Sequence, residues 1–302
     1  MSLRDQLRGT GVALVTPFKK NGSIDHEALH ILINFVIEEG VQYVVSLGTT
    51  GETPTLSKEE KLEILDTTFT SVAARVPVII GIGSNNTKEV IKEIESFPIE
   101  KAMAILSASP YYNKPSQEGI YQHYKLIAGA TTKPIILYNV PSRTGSNISA
   151  STTVRLAKDF ANITGIKEAS GNMVQCMELL RDKPSDFMVV SGDDAIALPQ
   201  IACGMDGVIS VSANCFPKDF CAVVNAALEN DYTTAKVFNN KLLRAYELLF
   251  AENNPAGVKA FLYEMGIIEN VLRLPLTSLS EENHNKVKEY MTTLSSTKPV
   301  HV

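Results

Sequence analysis

Lys167 is the residue of this 302-residue chain whose position points most directly to chemistry. It follows the apolar run Ile163–Ile166 at the end of a predicted buried strand, whereas nearly all other lysines fall on predicted helix faces or in loops. Burial disfavours the charged form of a lysine, and a neutral amine can attack a carbonyl to form an electron-withdrawing imine. The alternative is a structural lysine paired with Glu168 or another carboxylate.

Two further side chains fall near the end of the preceding strand. Tyr138 ends the apolar run Ile135–Tyr138, so its phenol would lie near Lys167 and could carry protons during imine formation. Arg143 lies five residues on, in a loop with Pro and Gly, where a guanidinium could hold a substrate carboxylate through two parallel hydrogen bonds. The alternatives are a packed aromatic residue at 138 and a surface arginine at 143.

Two pairs of neighbouring residues add hydroxyl groups to the same list. Thr49 and Thr50 lie in a turn flanked by glycines, where hydroxyls and backbone N–H groups can hold a small carboxylate or cap the next helix. Tyr111 and Tyr112 follow a proline, and we expect them in a loop or an oligomer contact. A contact of that kind is compatible with function, because a tyrosine can cross an interface into a neighbour's site.

Metal chemistry finds little support in the sequence. Asp193 and Asp194 could hold a divalent cation, but a loop or helix-cap role is favoured. The cysteines lack C-x-x-C spacing, and the histidines are scattered over predicted helices and the tail. We therefore predict no metal site among these residues, which are Cys176, Cys203, Cys215, Cys221, His26, His30, His123, His284 and His301.

Charge and composition exclude several classes of partner. The 28 basic and 33 acidic residues give a net charge of -5, which disfavours binding to nucleic acid or to an anionic membrane. The first residues lack the apolar segment of a signal peptide, and the longest apolar runs are too short to span a bilayer. We expect a cytoplasmic protein with reduced thiols.

Eight short apolar runs recur along the chain and must position these residues. Their apolar residues are nearly continuous, which is typical of parallel strands covered on both faces: Val12–Val15, Tyr43–Leu47, Val76–Ile82, Lys101–Leu106, Ile135–Tyr138, Ile163–Ile166, Met188–Val190 and Gly207–Ser210. Segments of helical period lie between them, and Ser57 with Glu60 forms a capping box that opens one.

Eight strands alternating with helices predict an α/β fold, the (β/α)8 TIM barrel. A doubly wound sheet would carry a glycine-rich phosphate turn after the first strand, and residues 16–22 have none. Strands stop near Pro217, so we predict a barrel domain over residues 1–216 and a C-terminal helical extension over residues 217–302. The polar tail Ser295–Val302 should fray. Catalytic groups of such barrels lie where strands end.

Five segments in register resemble the dihydrodipicolinate synthase family over roughly residues 7–295: Gly48–Glu52, Ser109–Pro115, Tyr138–Gly145, Gly165–Asn172 and Ser191–Asp194. The resemblance implies a lyase in which pyruvate forms a Schiff base with Lys167. The resulting enamine attacks L-aspartate 4-semialdehyde, in the diaminopimelate and lysine pathway. No cofactor is implied beyond this covalent imine.

The resemblance also implies roles for individual residues. Tyr138, Thr49 and Tyr112 form a proton relay, with Tyr112 inserted from the partner subunit of a homotetramer. Thr50 contacts the pyruvate carboxylate, and Arg143 binds the carboxylate of the semialdehyde. The backbone groups of two further residues line the pocket, namely Gly192 and Ile209.

Two alternatives stand beside this interpretation. Sibling pyruvate-dependent aldolases, acting on 2-keto-3-deoxy sugar acids, N-acetylneuraminate or hydroxy-oxoglutarate, share the barrel, the lysine and the tyrosine. Arg143 favours the synthase, because a second short acidic substrate needs a fixed cation. A non-catalytic binding protein on the same barrel should have lost Lys167 or Tyr138, and this chain has both.

A lysine feedback site is a further implication of the resemblance. Asn85, Glu89 and Tyr111 match positions that often hold lysine in this family. Lys58 and Lys61 stand where lysine-sensitive members commonly carry histidines, and Pro54 also departs from the pattern. A cation at Lys58 would tend to repel the ammonium group of the effector, so we expect weak or absent inhibition by lysine.

Overall fold

The structure is a computed structural model that describes residues 2–296. Eight parallel strands pair in chain order, and the last pairs with the first to close a barrel. This arrangement confirms the predicted (β/α)8 fold. The strands are β1 (Gly9–Ala13), β2 (Tyr43–Ser46), β3 (Val78–Gly81), β4 (Ala104–Ala108), β5 (Ile135–Asn139), β6 (Ile163–Glu168), β7 (Met188–Ser191) and β8 (Gly207–Ser210).

Helices follow each strand and continue beyond the barrel. Ser57 and Glu60 form the predicted capping box at the start of the third of them. The helices are α1 (Leu3–Gln6), α2 (His26–Glu38), α3 (Lys58–Val72), α4 (Thr87–Ser96), α5 (Gln117–Gly129), α6 (Pro141–Thr144), α7 (Ala150–Asp159), α8 (Met173–Asp182), α9 (Ala197–Ala202), α10 (Pro217–Leu228), α11 (Tyr232–Phe250), α12 (Ala256–Glu264) and α13 (Glu281–Ser296).

The first strand begins three residues earlier than the apolar pattern indicates. Gly9 and Gly11 have low strand propensity, so the sequence prediction started at Val12. Gly11 is nevertheless in register with Tyr43 of β2, and a Cβ atom at Gly11 would lie 2.1 Å from a carbon of the Tyr43 ring. The glycine therefore makes room for an aromatic ring inside the barrel.

Apolar side chains fill the barrel interior and separate it from a second layer between strands and helices. Leu7 precedes β1, so it lies at the end of the barrel where the strands begin, and Tyr43 packs with it. The interior cluster continues along the strands with Ala13, Val45, Ile79, Ala104, Leu106, Ile136, Tyr138, Val140, Met188, Val190 and Ile209. This filling leaves the carboxyl ends of the strands as the open end.

The helices after β8 differ in their contacts with the barrel. Helix α10 packs against β1 and α9, the place of an eighth barrel helix, and α11 to α13 pack on one another beyond it. The division of the chain at residue 217 stays a prediction. Part of the predicted frayed tail, residues 297–302, lies outside the described residues. No helix within residues 2–296 combines the length and apolar character needed to cross a bilayer.

A buried ion pair joins the helical extension to the barrel. The Lys259 ammonium of α12 pairs with the Glu52 carboxylate, and both side chains are fully buried. Burial lowers the pKa of Lys259, and the carboxylate opposes that shift. Arg273 donates its backbone N–H to Glu52 and pairs through two nitrogens with Glu60. We call these four residues the seam.

Candidate active site

Lys167 and Tyr138 lie side by side where β5 and β6 approach the open end of the barrel. They are register partners on neighbouring parallel strands, so their side chains project to the same side of the sheet. The Lys167 Nζ lies 4.5 Å from the centre of the Tyr138 ring, and both residues are buried. The sequence-predicted proximity of this amine and phenol is therefore present in the structure.

Glu168 does not pair with the lysine that precedes it. Successive residues of a strand point to opposite faces, and Glu168 points away from the barrel interior. Its carboxylate accepts hydrogen bonds from Asn139, Gln175 and the backbone N–H of Ser170. The alternative of a Lys167–Glu168 pair is thus wrong, since the carboxylate is satisfied by donors on the other face.

Gly192 leaves the space that the lysine stem occupies. A Cβ atom at this position would lie 2.8 Å from Cε of Lys167 and 2.7 Å from Cβ of Ala169. The backbone N–H of Gly192 donates to the carbonyl of Glu168 at 2.8 Å, which holds the β7 end against β6. Ile209 of β8 is buried in the interior cluster on the neighbouring strand.

The turn after β2 carries the two threonines. Residues 49–51 form a single 3-10 turn, and the Thr16 hydroxyl donates to the carbonyl of Gly51 at 2.7 Å. Thr50 is buried, and its Oγ1 accepts a hydrogen bond from Nδ2 of Asn254 at 2.9 Å. Neither threonine caps the following helix, because Ser57 does so.

Arg143 lies on α6, which begins at Pro141 directly after β5. Its Nη2 donates to the backbone carbonyl of Asn254 at 3.2 Å, and the side chain is otherwise exposed at the rim. A guanidinium has five N–H donors, so most remain available to a ligand carboxylate. The arginine is therefore placed at the open end of the barrel, as the sequence predicts.

Tyr112 is exposed at the surface of its own chain. The residue has a backbone φ of 71°, and its side chain is 88% exposed. Its backbone N–H donates to the carbonyl of Thr144 at 3.3 Å, which fixes the loop beside α6. An aromatic side chain held in the left-handed region and presented to solvent is uncommon.

A cavity of about 370 Å³ opens beside the tyrosine–lysine pair. Thr49, Tyr138 and Arg143 line one part of it, although Lys167 itself does not border it. The cavity continues to Tyr111 and Glu89, two of the predicted effector residues. Pro54, Ser84, Lys61 and Glu93 also line the cavity, and the last two form an ion pair.

The remaining sequence predictions concern residues around this cavity. Lys58 is exposed and does not line it, so Lys61 is the lysine that contributes charge to its wall. Asn85 accepts a hydrogen bond from Asn113 through its backbone carbonyl. Asp193 caps the short turn after β7, and Asp194 accepts three hydrogen bonds from Val211 and Ser212. Burial raises the pKa of Asp194.

Sequence reasoning missed Asn254 and the role of the seam. Asn254 is 204 residues from Thr50 along the chain, and no local pattern indicates such a contact. Lys259 offered a signal, because it is the single charge in the otherwise apolar run Ala256–Leu262. Lys259 lies on a helix, as the sequence predicts, but its side chain is buried, and Glu52 stabilises it in the interior.

Comparisons with known proteins identify the family of this chain. The model of the dihydrodipicolinate synthetase family matches residues 6–294. The chain is 48% identical to the 4-hydroxy-tetrahydrodipicolinate synthase of Parabacteroides distasonis, over 96% of this chain and 97% of that relative.

Two crystal structures extend the comparison to three dimensions. A dihydrodipicolinate synthase of Acinetobacter baumannii complexed with pyruvate is 42% identical, with a TM-score of 0.93 over 96% of this chain and 99% of that one. The enzyme of Cyanidioschyzon merolae with lysine bound is 34% identical, with a TM-score of 0.92 over 96% of this chain and 98% of that one.

Proposed function

The chain belongs to the dihydrodipicolinate synthetase family and has 4-hydroxy-tetrahydrodipicolinate synthase activity, and we propose that Lys167 is the amine that performs it. The reaction is a Schiff-base condensation of pyruvate with L-aspartate 4-semialdehyde. The observation that carries this assignment is the buried Lys167 amine beside the Tyr138 ring, with no carboxylate within ion-pair distance among residues 2–296.

The reaction proceeds through intermediates that are bonded covalently to Lys167. The Lys167 amine attacks the ketone carbon of pyruvate, and loss of water gives an imine. The imine withdraws electrons, so a proton leaves the methyl carbon and an enamine forms. The enamine carbon then bonds to the aldehyde carbon of the semialdehyde, which restores the imine, and the aldehyde oxygen takes up a proton to become a hydroxyl group. Finally, the amine of the semialdehyde attacks the imine carbon and displaces Lys167 as the ring closes.

Proton transfer in these steps is proposed to use three hydroxyl groups. Tyr138 would exchange protons at the amine, which lies 4.5 Å from the centre of its ring, and Thr49 lines the cavity that Tyr138 also borders. Tyr112 would complete the relay from the partner subunit of a homotetramer. Its 88% exposed side chain supports this assignment, because exposure of this kind fits a residue that an interface covers.

Two groups are proposed to hold the substrate carboxylates. Thr50 would donate its hydroxyl proton to the carboxylate of pyruvate, and Arg143 would bind that of the semialdehyde at the rim. The backbone groups of Gly192 and Ile209 would line the wall around Lys167. No cofactor is needed, since the imine itself withdraws the electrons.

A cytoplasmic location is also proposed. The four cysteines are free thiols, and three of them are buried. A biosynthetic enzyme with unpaired cysteines fits a reducing compartment.

We expect lysine to inhibit this enzyme weakly or not at all. Asn85, Glu89 and Tyr111 remain the proposed contacts of the effector. Lys61 places a cation in the same cavity wall, and its pairing with Glu93 engages a carboxylate that could otherwise attract an ammonium group. Half-inhibition by lysine below about 1 mM, the upper end of common ligand constants, would contradict this expectation.

The experiment that tests the function is turnover with pyruvate and L-aspartate 4-semialdehyde. Parallel reactions would supply N-acetylmannosamine or glyceraldehyde in place of the semialdehyde. We expect consumption of the semialdehyde alone, and Arg143→Ala should lose most of this turnover while pyruvate still forms its imine. Activity on an aldose without semialdehyde turnover would instead indicate a sibling aldolase and a wrong role for Arg143.

A further inference from the structure

Asn254 touches both residues to which carboxylate binding is assigned. It lies between α11 and α12, outside every segment that carries the family resemblance, and it is 5% exposed. Its side-chain Nδ2 donates to the Thr50 hydroxyl oxygen at 2.9 Å, and its backbone carbonyl accepts from Arg143 at 3.2 Å. One residue of the helical extension thus links the two groups.

The direction of the first hydrogen bond determines what Thr50 can do. An amide NH2 group can only donate, so the Thr50 oxygen accepts this bond. The hydroxyl proton must then point to another acceptor, and a carboxylate offers acceptor sites alone. Asn254 therefore keeps the Thr50 hydroxyl as a proton donor toward the carboxylate of pyruvate.

The two links of Asn254 use different parts of the residue. The contact with Thr50 depends on the side-chain amide, whereas the contact with Arg143 depends on the backbone carbonyl. A substitution at this position removes the first and leaves the second. The two substrates should therefore respond differently, because Thr50 is assigned to pyruvate and Arg143 to the semialdehyde.

The seam fixes the position of Asn254 relative to the 3-10 turn of residues 49–51, which contains Thr50. Lys259 follows five residues later on α12 and pairs with Glu52, which ends the same turn as Thr50. Arg273 adds a backbone hydrogen bond to Glu52 at 3.0 Å. The segment that carries Asn254 is consequently held at two points, so its amide has a defined position relative to the Thr50 hydroxyl.

We propose that Asn254 is a positioning residue, which orients the Thr50 hydroxyl for the pyruvate carboxylate. The inference rests on the proposed function. Loss of one hydrogen bond changes an equilibrium by about fivefold to tenfold. Asn254→Ala should therefore raise KM for pyruvate by roughly that factor, with KM for the semialdehyde within about twofold of the wild-type value.

Asn254→Asp sharpens the test because it keeps the shape of the side chain. Its carboxylate would accept the Thr50 proton and repel the substrate anion, so we expect a loss of at least about thirtyfold in kcat/KM for pyruvate. Asn253→Asp is the matched control. It adds the same charge at the exposed neighbouring position, where the backbone φ is 70°, and should keep wild-type kinetics.

A double-mutant cycle with Thr50→Val tests whether Asn254 acts through Thr50. Asn254→Ala should cost less than about twofold in kcat/KM for pyruvate when Thr50 is already replaced. Additive losses, an equal rise of KM for both substrates, or melting far below the wild-type temperature in both Asn254 variants would overturn the proposal. An inactive wild-type enzyme would instead refute the proposed function, and active variants indistinguishable from wild type would refute only this inference.

Discussion

Two lysines among the described residues are buried, and they differ in what lies beside the amine. Lys259 at the seam has a carboxylate partner, a carbonyl acceptor at 2.9 Å and the Phe18 ring below it. Lys167 at the open end faces the Tyr138 ring, and no ion pair joins it to any of residues 2–296. A buried charge that has a carboxylate partner serves structure, whereas a buried amine without one fits the reactive role that we propose for Lys167.

Lys167→Met gives the largest expected effect. We expect it to reduce activity without reducing stability. The substitution keeps an unbranched side chain of similar size but removes the nucleophile. Turnover should fall by about ten-thousand-fold, the scale seen when a nucleophile is removed, and borohydride should no longer trap pyruvate on the protein. The melting temperature should stay at or above that of the wild type. Trapping of pyruvate by the variant would assign the imine to a different lysine.

Lys259→Met should show the opposite result, with stability reduced and imine formation retained. It leaves the Glu52 carboxylate buried without its cation, which costs about 3–5 kcal/mol of folding free energy. Urea unfolding should detect this loss, while borohydride still traps pyruvate at a temperature where the variant is folded. Loss of trapping in the folded variant would mean that both lysines take part in the reaction.

Glu60→Gln tests the seam through pH. The hydrogen bonds from Arg273 lower the pKa of Glu60 to about 2, below the ordinary value of 4.5. The stabilisation is therefore complete above pH 4.5 and is lost as the pH falls toward 2. Allowing for solvent screening, it amounts to about 1–2 kcal/mol. Melting temperatures of wild type and variant should differ at pH 7, approach each other below pH 4.5 and converge only near pH 2, and a constant difference would contradict the prediction.

Lys259→Met combined with Glu52→Gln gives the smallest expected effect. Removing both charges also removes the cost of burying an unpaired carboxylate, so stability should return to within about 1 kcal/mol of the wild type. Urea unfolding of the two single variants and the double variant measures this recovery. A double variant as unstable as Lys259→Met alone would show that the pair is needed for more than mutual compensation.

The sequence was sufficient to predict the barrel and the side chains at its open end, because the apolar residues recur with the pattern of buried strands. Apolar runs locate parallel strands, and the residues after each run meet at one edge, which is how Lys167, Tyr138 and Arg143 could be grouped. The predicted strand ends differ from the observed ones: for example, β6 continues through Glu168, and β1 starts at a glycine. Propensity alone does not reveal a glycine that accommodates a ring on the next strand.

Contacts between residues that are far apart in the sequence could not be predicted in the same way. Asn254 and Thr50 meet because α12 packs back onto the barrel, and their separation of 204 residues leaves no periodic pattern. Glu52 belongs to a recognised motif, yet only the structure shows that it binds Lys259. A lone charge in an apolar helix was the available signal, although it does not identify the partner.

The apolar filling of the barrel interior where the strands begin has a kinetic consequence. With Leu7 and Tyr43 occupying the interior where the strands begin, reactants and product share a single entrance at the other end. Lys167 lies inside this entrance and Arg143 at its rim, so the first substrate must arrive before the second covers its path. With the roles proposed for Lys167 and Arg143, we therefore expect pyruvate to bind before the semialdehyde, and product to leave before the next pyruvate reaches the amine.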